Sequence, residues 1–368
     1  MVTIRVGITE QPDAAYDIMV GRGMLADIGR LVSAACRAAR YAVISDATVA
    51  ALYGASVLAC LADASLSAEL FEFPAGEEHK TRATWATLSD RMLARNFGRD
   101  SAVIALGGGV VGDVAGFVAA TYLRGVPYVQ IPTTLLAMLD SSIGGKTGVD
   151  VPAGKNLVGA FHQPRLVVAD LDVLGSLPAA QLVAGFAEAV KHGVIADRAY
   201  FEFLEQTHHD VLARDPKPLE RAVTRSIEIK SEIVAQDERE SGRRAILNFG
   251  HTVAHAIEAT ANFSMLHGEA VAMGMVHESR LAEALGIAPR GTAERVRALV
   301  RRCGLPLERP RESSIDALLH TMQLDKKARA GSVRFALPRA IGAMHGSAET
   351  GWTVSAPEAA IRACLAVD

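Results

Sequence analysis

Long uninterrupted apolar runs are missing from this 368-residue chain. None approaches the roughly 18 residues that a membrane-spanning helix needs. The N-terminal MVTIRVGITEQPDAAYDIMVG alternates like a strand and lacks the apolar centre of a signal peptide. Cysteine is scarce, with four at 36, 60, 303 and 364, too scattered for zinc-finger spacing and too few to staple so long a chain. A reducing, cytoplasmic setting is the expectation. Excess charge is missing too: 38 basic against 41 acidic side chains leave a formal charge of -3, which argues against nucleic acid or an anionic membrane as a partner. An anionic small ligand must then be met by lysines and arginines placed locally.

What is present is a globular composition, 50% hydrophobic and 21% charged, able to bury a sizeable core and long enough for two domains. YAVIS (41–45), SAVIAL (101–106), VPYVQI (126–131) and RLVVAD (165–170) read as short strands separated by helical segments. Strands alternating with helices imply a parallel sheet. After DLDVLGSLP the texture changes. Pro178 can open a helix, and long helical patterns such as AAQLVAGFAEAVKHGVI and AVTRSIEIKSEIVAQDE follow. The expected fold class is α/β, an N-terminal parallel-sheet dinucleotide-binding domain (1–175) followed by an all-helical, or mostly α-helical, C-terminal domain (176–368). Between them LDSSIGGKTGVDVPAGKNLVGAFHQP (139–164), rich in glycine and carrying two lysines, reads as a long functional loop.

In SAVIALGGGVVGDVAGFVAATYLRG a strand, a glycine cluster and an apolar helix follow one another, and Gly107, Gly109 and Gly112 satisfy G-x-G-x-x-G. Such a turn lets backbone N–H groups and the helix N-terminus approach a pyrophosphate. The dinucleotide pattern also wants an acid about 20 residues further on to grip the ribose, yet no acid stands between Asp113 and Asp140. Asp46, at the end of another strand, is a substitute. It would serve equally as the cap of a helix in DATVAALYG.

NFGHTVAHAIEATANFSMLHGEA places His251 and His255 four residues apart, with His267 following. In VAGFAEAVKHGVI, Glu188 sits among small apolar residues, with Lys191 and His192 one turn on. A carboxylate with two imidazoles leaves a position open on a divalent ion, which suits catalysis. Spacing alone permits His251 with His255, or either with His267, or a pair of hydrogen-bonded helix histidines holding no metal.

GEEHKT (76–81), GGGVVGDVAGFVAATYLRGVPYVQIPTTLLAMLDSSIGGKTGVD (107–150), GKNLVGAFHQP (154–164), AGFAEAVKHGVI (184–195), LNFGHTVAHAIE and LHGEAVAMGM, in that order, resemble the 3-dehydroquinate synthases over almost the whole chain. The resemblance implies an enzyme that converts 3-deoxy-D-arabino-heptulosonate 7-phosphate to 3-dehydroquinate and phosphate. The steps it implies are transient oxidation by NAD, phosphate elimination, re-reduction and intramolecular aldol closure. It implies one divalent ion, zinc or cobalt, on Glu188, His251 and His267, with His255 left to the substrate. NAD would lie against Asp46, Glu77, Lys80, the turn Gly108, Gly109, Val110, Val111, Gly112 and Asp113, then Thr133, Thr134, Asp140, Lys146 and Lys155. Without it, Glu77 and Lys80 would pass for a routine exposed i, i+3 pair.

Catalytic roles carried over in the same way fall on Lys146, Lys191, Lys230, Glu240, Arg244, Asn248 and His255, and substrate binding on Arg124, Asn156, Lys326 and Lys327. These would supply the local cations that a substrate with a phosphate and a carboxylate demands, Arg244 taking the carboxylate through its two-pronged geometry. GRRAILNFGH also offers Arg243, and DKK either lysine, so the register is open at both places. The resemblance further implies a homodimer, with Arg124 reaching the neighbouring site. The competing expectations are another sugar phosphate cyclase of the 2-epi-5-epi-valiolone synthase kind, a metal-dependent glycerol or alcohol dehydrogenase, and a non-enzymatic binding protein. Lys230 and Arg244 favour a carboxylate-bearing substrate, and DSSIGGKTGVD with GKNLVG favours the synthase over the dehydrogenases.

Overall fold

The computed structural model describes residues 15–262, 264–324 and 333–367, so Lys326 and Lys327 lie outside the described residues. Six strands form one sheet: β1 (Asp17–Gly21), β2 (Arg40–Asp46), β3 (Ala68–Phe73), β4 (Ser101–Gly107), β5 (Tyr128–Pro132) and β8 (Leu166–Asp170), in the order β1-β8-β5-β4-β2-β3. Every pairing is parallel. β4, β5 and β8 are buried along their whole length, as a parallel sheet covered on both faces requires. Alternation sorts the side chains. Ala42, Ile44, Val103 and Ala105 face the core shared with the helix Gly109–Thr121, whereas Tyr41, Val43, Ala102 and Ile104 face the opposite core.

Chain order places the crevice. β2 is followed by β3 on one side and β4 by β5 on the other, so the sheet order reverses between β2 and β4. Open α/β sheets take ligands at the carboxyl ends of the strands at such a point. Asp46 ends β2 and Gly107 ends β4.

The glycine-rich stretch 139–164, expected to be an irregular loop, instead contains an antiparallel hairpin of β6 (Lys146–Val151) and β7 (Gly154–Phe161), with its register broken between Val149 and Val151. Its glycines serve close packing. A Cβ on Gly159 would strike the Thr147 carbonyl, and one on Gly116 of the neighbouring helix would strike the Thr147 side chain.

From Ala179 onward the described residues are mostly helical, and the main site-bearing helices are Ala179–Ala196, Pro216–Gln236, His251–Thr260 and His267–Ala284. Two small two-stranded sheets lie among the later helices. The helical core also takes in Leu135, Met138, Leu139 and Ile143 from the segment after β5. Among the described residues no helix is long and apolar enough to cross a membrane.

Candidate active site

Three helices bring Glu188, His251 and His267 together. Glu188 lies in the middle of Ala179–Ala196, which starts directly after Pro178, and its side chain is 0% exposed. Gly250, at φ +80°, turns the chain into His251–Thr260. Gly268 and Gly274 let the next helix approach main chain to main chain, for a Cβ would collide with the carbonyl oxygens of Ala184 and Gly250 respectively. One ligand atom from each of Glu188, His251 and His267 then lies within 4.8 Å of the others. Nε2 of each imidazole is 3.7 Å from Glu188 Oε1. His251 Nδ1 faces the Phe249 carbonyl at 3.1 Å, and His267 Nδ1 faces Glu258 Oε1 at 3.4 Å.

A buried carboxylate is costly unless paired and hydrogen-bonded. Lys191 Nζ pairs with Glu188 Oε2, whereas Oε1 has no hydrogen-bond partner among the described residues. This donor set fits a divalent cation. The His255 ring stands edge-on to His251, centroids 5.5 Å apart, and belongs to no ligand cluster among the described residues. A second cluster, Asp140 with Glu188 and His192, is met by other groups. Asp140 accepts Lys230 Nζ at 2.6 Å, and His192 Nδ1 lies 2.7 Å from Ser226 Oγ.

Around this centre lies a ring of charge. Burial brings the Lys230 ammonium down to about 8, against the pull of Asp140, with Lys191 and Arg244 adding to the lowering. Burial works against the Lys191 ammonium as well, but Glu188 and Asp140 outweigh it and raise its pKa. Arg244 is buried, donating through Nη1 to the Glu238 carbonyl and through Nη2 to that of Gly144 at 3.2 Å. Arg243 points elsewhere, donating to Gln236 and lying over the Trp352 ring. Glu240 joins Lys146 to Asn248, the latter at 2.5 Å.

On the crevice side, the helix Gly109–Thr121 begins at Gly108 with no side-chain cap, so its first-turn amides face the crevice as an anion site would. Thr133 Oγ1 is buried beside it with no hydrogen-bond partner among the described residues, and Thr134 caps the following turn through Ala137 N. This cradle fits a dinucleotide pyrophosphate. Lys80 is not half of an exposed pair with Glu77. It is buried between Asp113 Oδ2 and Asn156 Oδ1, each at 2.5 Å, and Asp113 and Glu77 raise its pKa although burial opposes them. Burial is what fixes the partner: an ammonium removed from water needs a carboxylate in contact. Asp46 caps the next helix, accepting Thr48 N and Val49 N. Arg124 is exposed past the far end of the Gly109–Thr121 helix, about 20 Å from its first turn.

The structure adds residues the sequence reading missed. Glu258 accepts Lys155 Nζ at 3.3 Å as well as facing His267, and although burial would raise its carboxyl, His267 and Lys155 hold it at about 2. It lies seven residues after His251 and three after His255, so the helical face that carries the histidines was enough to find it. Glu278, fully buried, accepts Gly250 N at 2.7 Å and Val253 N at 3.1 Å. No local pattern marks it.

Known proteins resemble this chain in sequence and in fold. The family description "3-dehydroquinate synthase N-terminal" matches residues 70–184, and "3-dehydroquinate synthase C-terminal" matches residues 185–328. A 3-dehydroquinate synthase of Caulobacter vibrioides is 50% identical over 347 residues, covering 92% of this chain and 93% of its own. Among solved structures, a 2-epi-5-epi-valiolone synthase from Streptomyces hygroscopicus with NAD+ and Zn2+ bound superposes with TM-score 0.88 at 31% identity, covering 98% of both chains. A 2-deoxy-scyllo-inosose synthase complexed with carbaglucose-6-phosphate, NAD+ and Co2+ gives 0.86 at 28%, covering 95% of this chain and 96% of its own. The cyclases thus share the fold, while the much higher sequence identity lies with the dehydroquinate synthases. The chain belongs to the 3-dehydroquinate synthase family.

Proposed function

We propose that the charged ring around Glu188 carries out the family's reaction, conversion of 3-deoxy-D-arabino-heptulosonate 7-phosphate to 3-dehydroquinate and phosphate. The observation that carries this reading is Glu188, a fully buried carboxylate whose Oε2 pairs with Lys191 and whose Oε1 faces two imidazole Nε2 atoms at 3.7 Å with no hydrogen-bond partner among the described residues. When bound, a zinc or cobalt ion on Glu188, His251 and His267 supplies polarisation of adjacent hydroxyls, and NAD supplies a reversible hydride acceptor.

The chain's own groups do the rest. Arg244 and Lys230 hold the substrate carboxylate, and Asn156 with the hairpin lysines Lys146 and Lys155 holds the phosphate. A phosphate gripped in this way can take up a proton on its own oxygen as the C–O bond breaks, while fixed cations stabilise the leaving charge. His255, beside the metal ligands and outside the ligand cluster, is placed to relay a proton. Holding both ends of the opened product in one pocket favours aldol closure over escape. Asp46, the glycine turn, Lys80 and Asp113 are the residues that would hold NAD along the crevice. The functional boundary falls near residue 175. The setting is cytoplasmic and the working unit a homodimer in which Arg124, too far from its own glycine turn, serves the partner's site.

The direct test supplies the heptulosonate phosphate, catalytic NAD and a divalent metal, and measures phosphate release. Stoichiometric release with no net NADH is expected. No release, or steady accumulation of NADH, overturns the reading, and faster turnover of sedoheptulose 7-phosphate would move the chain to the other cyclases.

A further inference from the structure

Glu258 stands where two parts of the site meet. Its side chain is 4% exposed, and one oxygen, Oε1, faces both His267 Nδ1 at 3.4 Å and Lys155 Nζ at 3.3 Å. The two partners come from different places: His267 opens the helix His267–Ala284, and Lys155 belongs to β7 of the hairpin. Lys155 is in turn 3.5 Å from Glu77. The next residue, Asn156, accepts from Lys80, which pairs with Asp113 on the glycine-turn helix. A run of charged and polar side chains thus leads from a metal-facing imidazole, through Lys155 and its neighbour Asn156, to Lys80 and Asp113 near the start of the crevice helix.

The chemistry of an imidazole makes this specific. Only one nitrogen of a neutral ring carries a proton, and the partner of the other nitrogen decides which. A carboxylate at Nδ1 keeps the proton there and leaves the Nε2 lone pair pointing at Glu188. His251 reaches the same state by another means, its Nδ1 facing a main-chain carbonyl. A carbonyl cannot move with a second side chain, but a carboxylate shared with Lys155 can.

We propose that Glu258 is a positioning residue with two linked tasks: it holds His267 in the tautomer that can bind a divalent ion, and through Lys155 it ties metal occupancy to the placement of the hairpin. The proposal rests on the metal reading above. If an ion draws on the Nε2 lone pair, Nδ1–H becomes a stronger donor and Glu258 is held more firmly. Linkage then requires the converse, that a well-placed Lys155 tightens the metal.

The test is zinc affinity of the folded protein, measured by competition with a chelator in the absence of NAD and substrate. Glu258→Gln is expected to weaken zinc about 10- to 100-fold, the usual cost of losing a carboxylate behind a ligating histidine. Lys155→Met is expected to weaken it less, and the double variant to be no weaker than Glu258→Gln alone, because the second change acts through the first. A purely structural Glu258 would lower the unfolding midpoint of the metal-free protein and leave the zinc constant unchanged. Should Glu258→Gln fail to fold, Glu258→Asp, which keeps the charge but retracts it, is expected to shift the constant in the same direction. Affinities of the folded Glu258 variants within about threefold of the parent overturn the proposal, and an unchanged constant in Lys155→Met overturns its second half. A parent protein that takes up no stoichiometric zinc overturns the three-ligand reading as well.

Discussion

Two helices in this molecule start in the same way and are used in opposite ways. Gly109–Thr121 follows Gly108 and His251–Thr260 follows Gly250, and neither glycine offers a side chain to cap the first turn. Each N-terminus therefore presents unpaired N–H groups and the positive end of the helix dipole. At His251–Thr260 the protein closes the end itself: the buried Glu278 carboxylate takes Gly250 N and Val253 N. At Gly109–Thr121 no side-chain cap is supplied, and the end opens at the reversal point of the sheet. A closed end fixes a ligand-bearing helix in place, whereas an open end is a ready anion site.

The largest expected effect comes from opening the closed end. Glu278→Ala leaves two N–H groups without their carboxylate and should cost about 3 kcal/mol of stability, read from the shift of the denaturant midpoint. A midpoint within error of the parent would mean that the carboxylate does not hold the histidine helix. The reverse change closes the open end. Gly108→Asp is allowed by a φ of -76° and requires only a small shift of the Thr134 methyl, which a new Cβ would meet at 3.0 Å. Titration calorimetry should show NAD weakened about 100-fold, close to 2.7 kcal/mol, while stability without NAD changes by no more than about 1 kcal/mol. Undiminished NAD binding would show that the pyrophosphate does not use this turn.

A second contrast separates a buried lysine within the charged ring from an arginine outside it. Lys230, at about 8, is charged below that pH and neutral above it. If its ammonium meets the substrate carboxylate, kcat/KM falls above pH 8, by about fivefold between pH 8 and 9 and by about tenfold per unit beyond that at full dependence. Lys230→Arg, which stays charged, should abolish that limb. A limb unmoved by the substitution would show that Lys230 does not set it. The smallest effect is expected at Arg243. Committed to Gln236 and Trp352, it should tolerate Arg243→Ala within about threefold in kcat/KM, as surface substitutions away from buried networks usually do.

Four of the six sheet strands were legible because they are buried and rich in β-branched residues. β1 fell within the N-terminal stretch read as alternating, of which residues 1–14 lie outside the described residues, but β3 passed unnoticed, since AELFEF carries two acids and lies at the sheet edge. The hairpin in 139–164 was hidden by glycines that suggest flexibility locally and permit close contact in three dimensions. At the site, the triad and His255 could be separated by family pattern and not by spacing, because i, i+4 histidines look alike whichever nitrogen binds. Without the family pattern Lys80 would have passed for an exposed residue, because its carboxylate partner, Asp113, is 33 residues away in sequence. Glu278 was invisible for the same reason, 25 residues from the nearest amide it caps that lies within the histidine helix.

Gly268 and Gly274 give the metal triangle an unusual kind of inheritance. The spacing of the three helices is set where main chain meets main chain, at Ala184 and Gly250. Core side chains around them can drift in size and be absorbed by repacking, leaving the distance between the imidazoles nearly untouched. Any side chain at either glycine would instead wedge two helices apart and move a ligand with its whole helix. The geometry that gathers three functional side chains is thus transmitted through two positions that have none.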